Sequence, residues 1–280
     1  MIFHPSYREF FWLLVRRDLK VRYAGSTLGG LWNLIHPLMM IAVYMTIFSS
    51  IMRQKLGIGE QTHYYGELEY GVHLCAGLIP WLMFSDVLMR SVSVLIDNNN
   101  FLQKVSFPPI VLFASVFFNA LLINGTGFLS FLAILALLGK APPILALAGL
   151  GVMFLLGLVG LGLGLVLAGM HVFFRDTLQI VTIGMQFLFW FNPIVYSREM
   201  FLHPTAEGQA MVTKKIGFWL LTLNPFERFI TATQWLMDHG VVQDTPSPLD
   251  WVIIGVLPVL CLAAGLYLFR RMLPDIRDCL

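Results

Sequence analysis

The chain has 280 residues, of which 58% are hydrophobic and only 12% are charged, and its mean hydropathy is +0.76. Because a soluble domain carries roughly 25% charged residues, this chain lacks the polar surface that a water-soluble protein needs. A net charge of +2 without any basic run argues against binding to nucleic acid. The composition therefore predicts an integral membrane protein.

The first predicted element is an amphipathic helix over Tyr7–Tyr23, within an N-terminal segment of residues 1–30. Apolar side chains at helical spacing occupy most of its circumference. Its polar side chains share an arc of about 100°: Glu9, Arg16, Arg17 and Lys20. Such a helix lies in the membrane interface with its basic side chains toward anionic head groups. The alternative is a solvated lead-in to the first span.

Six apolar stretches follow, and each has about the 20 residues that cross a bilayer. They are residues 31–52, 74–96, 109–138, 144–170, 178–196 and 251–269. Asp86 and Arg90 lie one helical turn apart in the second stretch, so we expect each to neutralise the other near the cytoplasmic interface, with an ion relay as the alternative. In the fourth stretch Gly160, Gly164 and Ala168 form a ridge of small residues, which predicts a helix-packing seam. The predicted fold is a single all-α transmembrane domain with six spans.

The placement of Lys and Arg predicts the orientation of these spans. With the N-terminus inside, most of the 18 Lys and Arg residues lie in cytoplasmic segments. The cluster that precedes the first span decides this assignment: Arg16, Arg17, Lys20 and Arg22. Both termini are therefore predicted to be cytoplasmic.

Two segments outside the spans are informative. The inner loop Asp97–Pro109 reads DNNNFLQKVSFPP, in which a capping residue precedes a short helix and two prolines end it. Such a helix is either a docking element for a soluble partner or only a turn. In the outer segment, Ile216–Leu223 is apolar but too short to span, and a second short helix follows Asn224 and Pro225. These two are predicted to be outer re-entrant or interfacial helices, which must be buried in protein or line a cavity.

Two spans carry polar and aromatic side chains at helical spacing along one face. In the first span these are His36, Met40, Tyr44 and Phe48, and in the fifth they are Gln179, Thr182, Gln186 and Trp190. Hydrogen-bonding groups beside aromatic faces suit a pathway for sugars better than one for ions. The alternative is ordinary helix packing with buried hydrogen bonds.

Several kinds of catalytic chemistry have no sequence signature here. The chain contains neither a Walker A motif nor H-E-x-x-H, paired-cysteine or G-x-S-x-G patterns. His171 and Asp176 match an acyltransferase spacing, but five helical residues place two side chains about 140° apart. We therefore expect no enzyme activity, no metal site and no cofactor in this chain.

Sequence blocks in order along nearly the whole chain resemble the membrane subunits of bacterial type-2 ABC polysaccharide exporters. The longest block is RDLKVRYAGSTLGGLWNLIHPLMMIAVYMTIFS, Arg17–Ser49. The others are GLIPWLMFSDVL at Gly77–Leu88, NNNFLQKVSFPPIVL at Asn98–Leu112, FFRD at Phe173–Asp176, NPIVYS at Asn192–Ser197 and NPF at Asn224–Phe226. Each block alone is only weak evidence for this family, but the blocks together, in this order, are specific for it.

The resemblance implies a homodimeric permease that pairs with two copies of a separate ATPase subunit, which binds ATP and Mg²⁺. Segment 197–250 corresponds to a periplasmic gate region between spans five and six. The inner loop corresponds to a coupling helix, with Asn99, Asn100, Gln103 and Lys104 as the residues that meet the ATPase. The cargo is expected to be undecaprenyl-diphosphate-linked polysaccharide, O-antigen first and capsule or teichoic acid otherwise, which crosses the bacterial inner membrane.

These roles combine into one expected mechanism. Arg16, Arg17, Lys20 and Arg22 attract the lipid diphosphate, and the ATPase pushes on the coupling helix. A path between two copies then opens, lined by His36, Met40, Tyr44, Phe48, Gln179, Gln186 and Trp190. The alternatives are a type-2 ABC exporter of drugs or lipids and, from another class, an intramembrane enzyme acting on polyprenyl-linked glycans.

Overall fold

The computed structural model describes residues 5–22, 25–48, 65, 68–104, 107–140, 142–196, 223–237 and 245–279, and all regular structure in them is helical. We number the α-helices in chain order. They are α1 Pro5–Arg22, α2 Trp32–Val43, α3 Glu69–Asp97, α4 Asn99–Lys104, α5 Ile110–Leu137, α6 Ala148–Phe173, α7 Thr177–Trp190, α8 Pro225–Met237 and α9 Pro248–Cys279. A short 3₁₀ helix, Gly29–Leu31, precedes α2, a π-helical segment, Tyr44–Phe48, extends it, and a second 3₁₀ helix, Ile144–Leu147, precedes α6.

Within the described residues, four helical segments are long and apolar enough to cross a membrane: Glu69–Asp97, Ile110–Leu137, Ile144–Phe173 and Pro248–Ile276. Two apolar segments are shorter, Leu38–Ile47 and Thr177–Trp190. All six overlap the stretches predicted from hydropathy. The last four residues of the predicted first span lie outside the described part of the chain, and so does the outer segment Ile216–Leu223 except for Leu223.

Helices α3 and α6 form the centre of the subunit. α6 packs along α3 on one side and along α9 on the other, and α5 covers a further face of α3. The predicted ridge on α6 takes part in this packing, since Gly160 lies against Phe84, Gly164 lies against Ser91 and Ala168 is fully buried. This confirms the helix-packing seam.

Helices α6 and α9 approach each other closely at their glycines. A Cβ atom built on Gly265 would lie 2.3 Å from the carbonyl oxygen of Gly162, and one built on Gly162 would lie 2.5 Å from the backbone of Cys261. Only residues without a side chain permit two backbones to approach this closely. A turn at Gly139, whose φ of 72° favours glycine, connects α5 to the segment before α6.

Helix α1 lies against α5 at the end of the bundle where α3 also ends. Leu14 and Val15 are buried, and the ring of Phe10 packs 4.6 Å from the ring of Phe107 at the start of the α5 segment. Trp12 and Leu13 remain 43% and 56% exposed. One face of this helix therefore packs on the protein, while an apolar and basic face remains uncovered.

Candidate functional site

The short helix α4, which the sequence predicts as the coupling segment, begins where α3 ends, and Asn98 lies between them. The amide nitrogen of Asn98 bonds to the carbonyl oxygen of Val94, and its own carbonyl oxygen accepts from the amides of Phe101 and Leu102. Pro108 and Pro109 follow, and α5 starts at Ile110. This arrangement agrees with the short helix predicted from the sequence.

The four predicted coupling residues are placed differently within α4. Asn100 and Gln103 are exposed, and Asn99 is half-buried. The Oδ1 atom of Asn99 is shielded from solvent and accepts no hydrogen bond from another described residue. The side chain of Lys104 lies outside the described part of the chain. The exposed amides therefore offer a polar surface, and its contact with an ATPase stays a prediction.

The basic residues of α1 separate into two groups. Arg16 and Lys20 are exposed and line a surface groove together with Arg8, Trp12 and Leu13. Arg17 also borders this groove, but its guanidinium contacts the start of α4: its Nη2 donates to Oδ1 of Asn98 at 2.6 Å, and its guanidinium carbon lies 4.8 Å from the centre of the Phe101 ring. The sequence did not distinguish these two groups because Arg16, Arg17 and Lys20 lie within two turns of one helix.

A charged network joins α1 to the spans. Arg90 of α3 donates to Asp18, and the Nδ2 atom of Asn119 in α5 donates to the same carboxylate at 2.8 Å. Arg22 lies 3.4 Å from Asp86, and Arg90 lies 3.9 Å from Asp86. The predicted pairing of Asp86 with Arg90 is therefore present, but it is the longest contact of a five-residue network.

Met40 and Tyr44 from the predicted stripe on the first span face a crevice of about 220 Å³ between α2, α3 and α5. Its walls are mostly apolar, and Arg22 and Asp86 lie at one end. The side chains of His36 and Phe48 lie outside the described part of the chain. The described half of this stripe therefore faces the interior of the subunit.

The second stripe lies on an open surface of α7. Gln179 and Gln186 are exposed and Trp190 is 63% exposed, while the hydroxyl of Thr182 donates to the carbonyl oxygen of Leu178. Among the described residues, the two stripes lie on separate surfaces of the subunit. Their meeting in a shared channel stays a prediction that requires a second copy.

A buried polar cluster closes the opposite end of the bundle. Nδ2 of Asn224 donates to Oδ1 of Asn192 at 3.1 Å, which joins the two Asn-Pro turns that follow α7 and precede α8. Gln234 of α8 donates to the carbonyl oxygen of Pro193 and lies 3.1 Å from the Nε2 atom of His73 in α3. The sequence did not predict this cluster, although Asn-Pro occurs at both turns that it joins.

One face of the second predicted outer helix, α8, is buried in the protein. Phe229, Ile230, Thr233 and Met237 are each at most 1% exposed. Glu227 is also buried at 2%, and the hydroxyl of Thr231 donates to it at 3.0 Å. The second outer helix is therefore packed into the protein rather than lying free in the interface.

The described residues form an all-helical bundle of long apolar helices, with the basic amphipathic helix α1 and the short helix α4 at one end, which is the architecture of a polytopic membrane protein. Residues 9–207 match the family model for the membrane domain of the ABC-2 type transporter. The chain belongs to this family.

The chain is also similar to curated proteins over nearly its whole length. It is 28% identical over 270 residues to the O-antigen export system permease protein RfbA of Myxococcus xanthus, a match that covers 95% of this chain and 94% of the relative. It is 25% identical over 265 residues to the protein of the same name from Klebsiella pneumoniae, with 93% and 90% covered. The polysialic acid transport protein KpsM of Escherichia coli is 27% identical over 97 residues, which is 35% of this chain and 34% of that protein.

Proposed function

We propose that this chain is the permease subunit of an ATP-driven exporter that moves undecaprenyl-diphosphate-linked polysaccharide, with O-antigen as the expected cargo, across the bacterial inner membrane. The observation that carries the proposal is the end-to-end similarity to permeases named for O-antigen export. Two such chains would assemble with two ATPase subunits, and each chain would cross the membrane six times with both termini in the cytoplasm.

The groove on α1 supports entry of the lipid-linked end at this helix. Arg16 and Lys20 are exposed there beside Trp12, so their charges are available to a diphosphate at the membrane interface. Arg17 and Arg22 already contact Asn98 and Asp86. We therefore assign attraction of the diphosphate to Arg16 and Lys20, and not equally to all four basic residues.

The exposed face of α7 supports passage of the glycan. Gln186 and Trp190 present an amide and an aromatic ring to the space beside the subunit. Weak contacts of this kind at successive positions let a chain of sugars slide without stopping, because conduction requires binding sites that release their cargo. A second copy facing this surface would complete the pathway.

The proposal is tested by deleting the gene and following the glycan. We expect surface polysaccharide to disappear and polyprenyl-linked glycan to accumulate inside the cell, with both changes reversed by a plasmid copy of the gene. Normal surface glycan together with altered drug sensitivity or lipid content would replace the proposal with a small-molecule exporter. A chemically altered lipid-linked precursor would replace it with a modifying enzyme.

A further inference from the structure

Two consecutive residues of α1 reach three other elements. Arg17 contacts Asn98 and Phe101 at the junction of α3 and α4. Asp18 accepts hydrogen bonds from Arg90 in α3 and from Asn119 in α5. A single turn of the interface helix is therefore attached to the second span, to the coupling segment and to the third span.

Asn98 is held in the orientation that this attachment needs. Its Nδ2 atom donates to the carbonyl oxygen of Val94 at 2.9 Å, which turns Oδ1 toward Arg17. The residue is only 7% exposed, and its backbone carbonyl starts the hydrogen bonding of α4. A displacement of α4 must therefore either carry Arg17 with it or break a short charge-assisted hydrogen bond.

We propose that Arg17 and Asp18 are positioning residues that make α1, the inner end of α3 and α4 move as one unit. A push on α4 then reaches α1 and, through Asn119, α5 as well as α3. This inference rests on the proposed function, because it takes an ATPase at α4 as the source of the push. It gives Arg17 a role in transmitting movement and not in binding the lipid diphosphate.

Substitution by lysine separates these two roles. A diphosphate that needs only positive charge accepts Lys at position 17. The observed geometry instead uses the planar guanidinium for two contacts at once, the amide oxygen of Asn98 and the ring of Phe101. A lysine ammonium is a point charge on a flexible stem and does not reproduce both contacts. Arg17→Lys is therefore expected to impair the coupling of ATP hydrolysis to export nearly as much as Arg17→Gln.

The experiment compares Arg17→Lys, Arg17→Gln, Asn98→Ala and the double variant Arg17→Gln/Asn98→Ala in the complete transporter with its ATPase. Assembly, ATP hydrolysis and glycan export are measured together. We expect the complexes to assemble and each single variant to raise the ATP used per exported glycan by about tenfold, a typical size for an allosteric coupling. The double variant should do no more than the worse single variant, because both remove one contact. Arg270→Lys, at an exposed position outside these contacts, is the matched control and should leave the ratio unchanged.

Other outcomes overturn the inference. A normal ratio in Arg17→Lys beside a defect in Arg17→Gln would show that only the charge matters. Multiplying defects in the double variant would show that Arg17 and Asn98 act separately. If Arg17→Gln does not assemble, Phe101→Leu tests the same contact by removing only the ring. We expect this variant to raise the ATP used per exported glycan by about two- to threefold, and an unchanged ratio would overturn the inference.

Failure of the proposed function gives a different result. In that case the unaltered complex exports no glycan with any partner. The two single variants at Arg17 and Asn98 and their double variant can then still be compared by the rate of ATP hydrolysis in the assembled complex. If the effects of the single variants on that rate add up in the double variant, the inference fails independently of the proposed function.

Discussion

Trp190 is the side chain on which the proposed glycan path depends most. It is 63% exposed at the end of α7, and its ring packs edge-on against Phe189 with the ring centres 5.5 Å apart. A large aromatic side chain exposed beside Gln186 adds little to the core of its own subunit. Its role is therefore easier to separate from folding than that of Tyr44, which faces the internal crevice.

We predict that Trp190→Ala slows export by about fivefold while assembly with the ATPase is unchanged, since about 1 kcal/mol of aromatic contact is lost. Trp190→Phe keeps an aromatic face and should retain most of the rate. Surface glycan per assembled transporter, measured over time after induction, checks both variants. Normal export by the alanine variant would mean that α7 does not line the path.

The contact between Asn192 and Asn224 makes a second residue-scale prediction. The side chain of Asn224 donates to Asn192 and to the carbonyl oxygen of Phe191, and its Oδ1 accepts from the amide of Phe226 at the start of α8. Asn224→Ala leaves these buried groups without partners, so we expect a loss of about 1–2 kcal/mol in the free energy of unfolding.

Thermal unfolding of the purified protein in detergent measures that loss. Asn100→Ala is the matched control, because the side chain of Asn100 is exposed and its removal should leave the unfolding temperature nearly unchanged. Equal unfolding temperatures for the two variants would mean that the paired Asn-Pro turns do not stabilise the end of the bundle at which they lie.

At the scale of elements, α9 is held to the bundle by backbone contact with α6. Gly265 and Gly162 face each other closely enough that any Cβ atom would collide with backbone. Gly255 lies on the same helix with nothing within 4 Å of the position where its Cβ would stand. The two glycines therefore have opposite expected responses to the same substitution.

We predict that Gly265→Ala lowers the free energy of unfolding by about 2 kcal/mol or more, because backbones must separate to admit the methyl group. Gly255→Ala should be neutral or stabilising by up to about 1 kcal/mol, since alanine favours the helix. Protease resistance and folded yield in membranes report both effects. Equal tolerance of the two substitutions would contradict the observed packing of α6 on α9.

Hydropathy predicted the positions of the long helices well because the bilayer requires each of them to contain a long apolar stretch. The predicted third stretch, 109–138, differs from α5 by one residue at each end. The predicted second and sixth stretches are shorter than α3 and α9, since both helices continue through polar residues such as Glu69 and Asp275 that hydropathy excludes. In these cases composition shows where lipid surrounds a helix and not where the helix ends.

The contacts of α1 were beyond the reach of sequence reasoning for a different reason. Asp18 and Arg90 are separated by 72 positions, and their meeting depends on how α1 folds back against α3 and α5. Helical periodicity grouped Arg17 with Arg16 and Lys20 because it describes one helix in isolation. Only the packed structure shows that one side of this basic arc faces protein and the other remains open.

At the scale of the whole molecule, the orientation of the chain determines which end of the bundle meets the ATPase. The proposed topology places α4 and both termini in the cytoplasm and the turn at Gly139 outside. α9 has 32 residues and is about 48 Å long, so it exceeds a hydrocarbon core of about 30 Å and its end projects into water. The exposed thiol of Cys279 lies at that end, whereas Cys75 is buried.

We predict that a membrane-impermeant maleimide labels Cys279 in inside-out vesicles and not in intact cells. A second variant, Cys279→Ala with Leu138→Cys, carries its thiol in the turn after α5, where Leu138 is 55% exposed, and should label with the opposite sidedness. Labelling of both thiols from the same side would require an even number of crossings between Leu138 and Cys279 in place of the proposed three. Labelling of Cys279 from outside alone would place α4 on the outer face, where it cannot receive the push of a cytoplasmic ATPase.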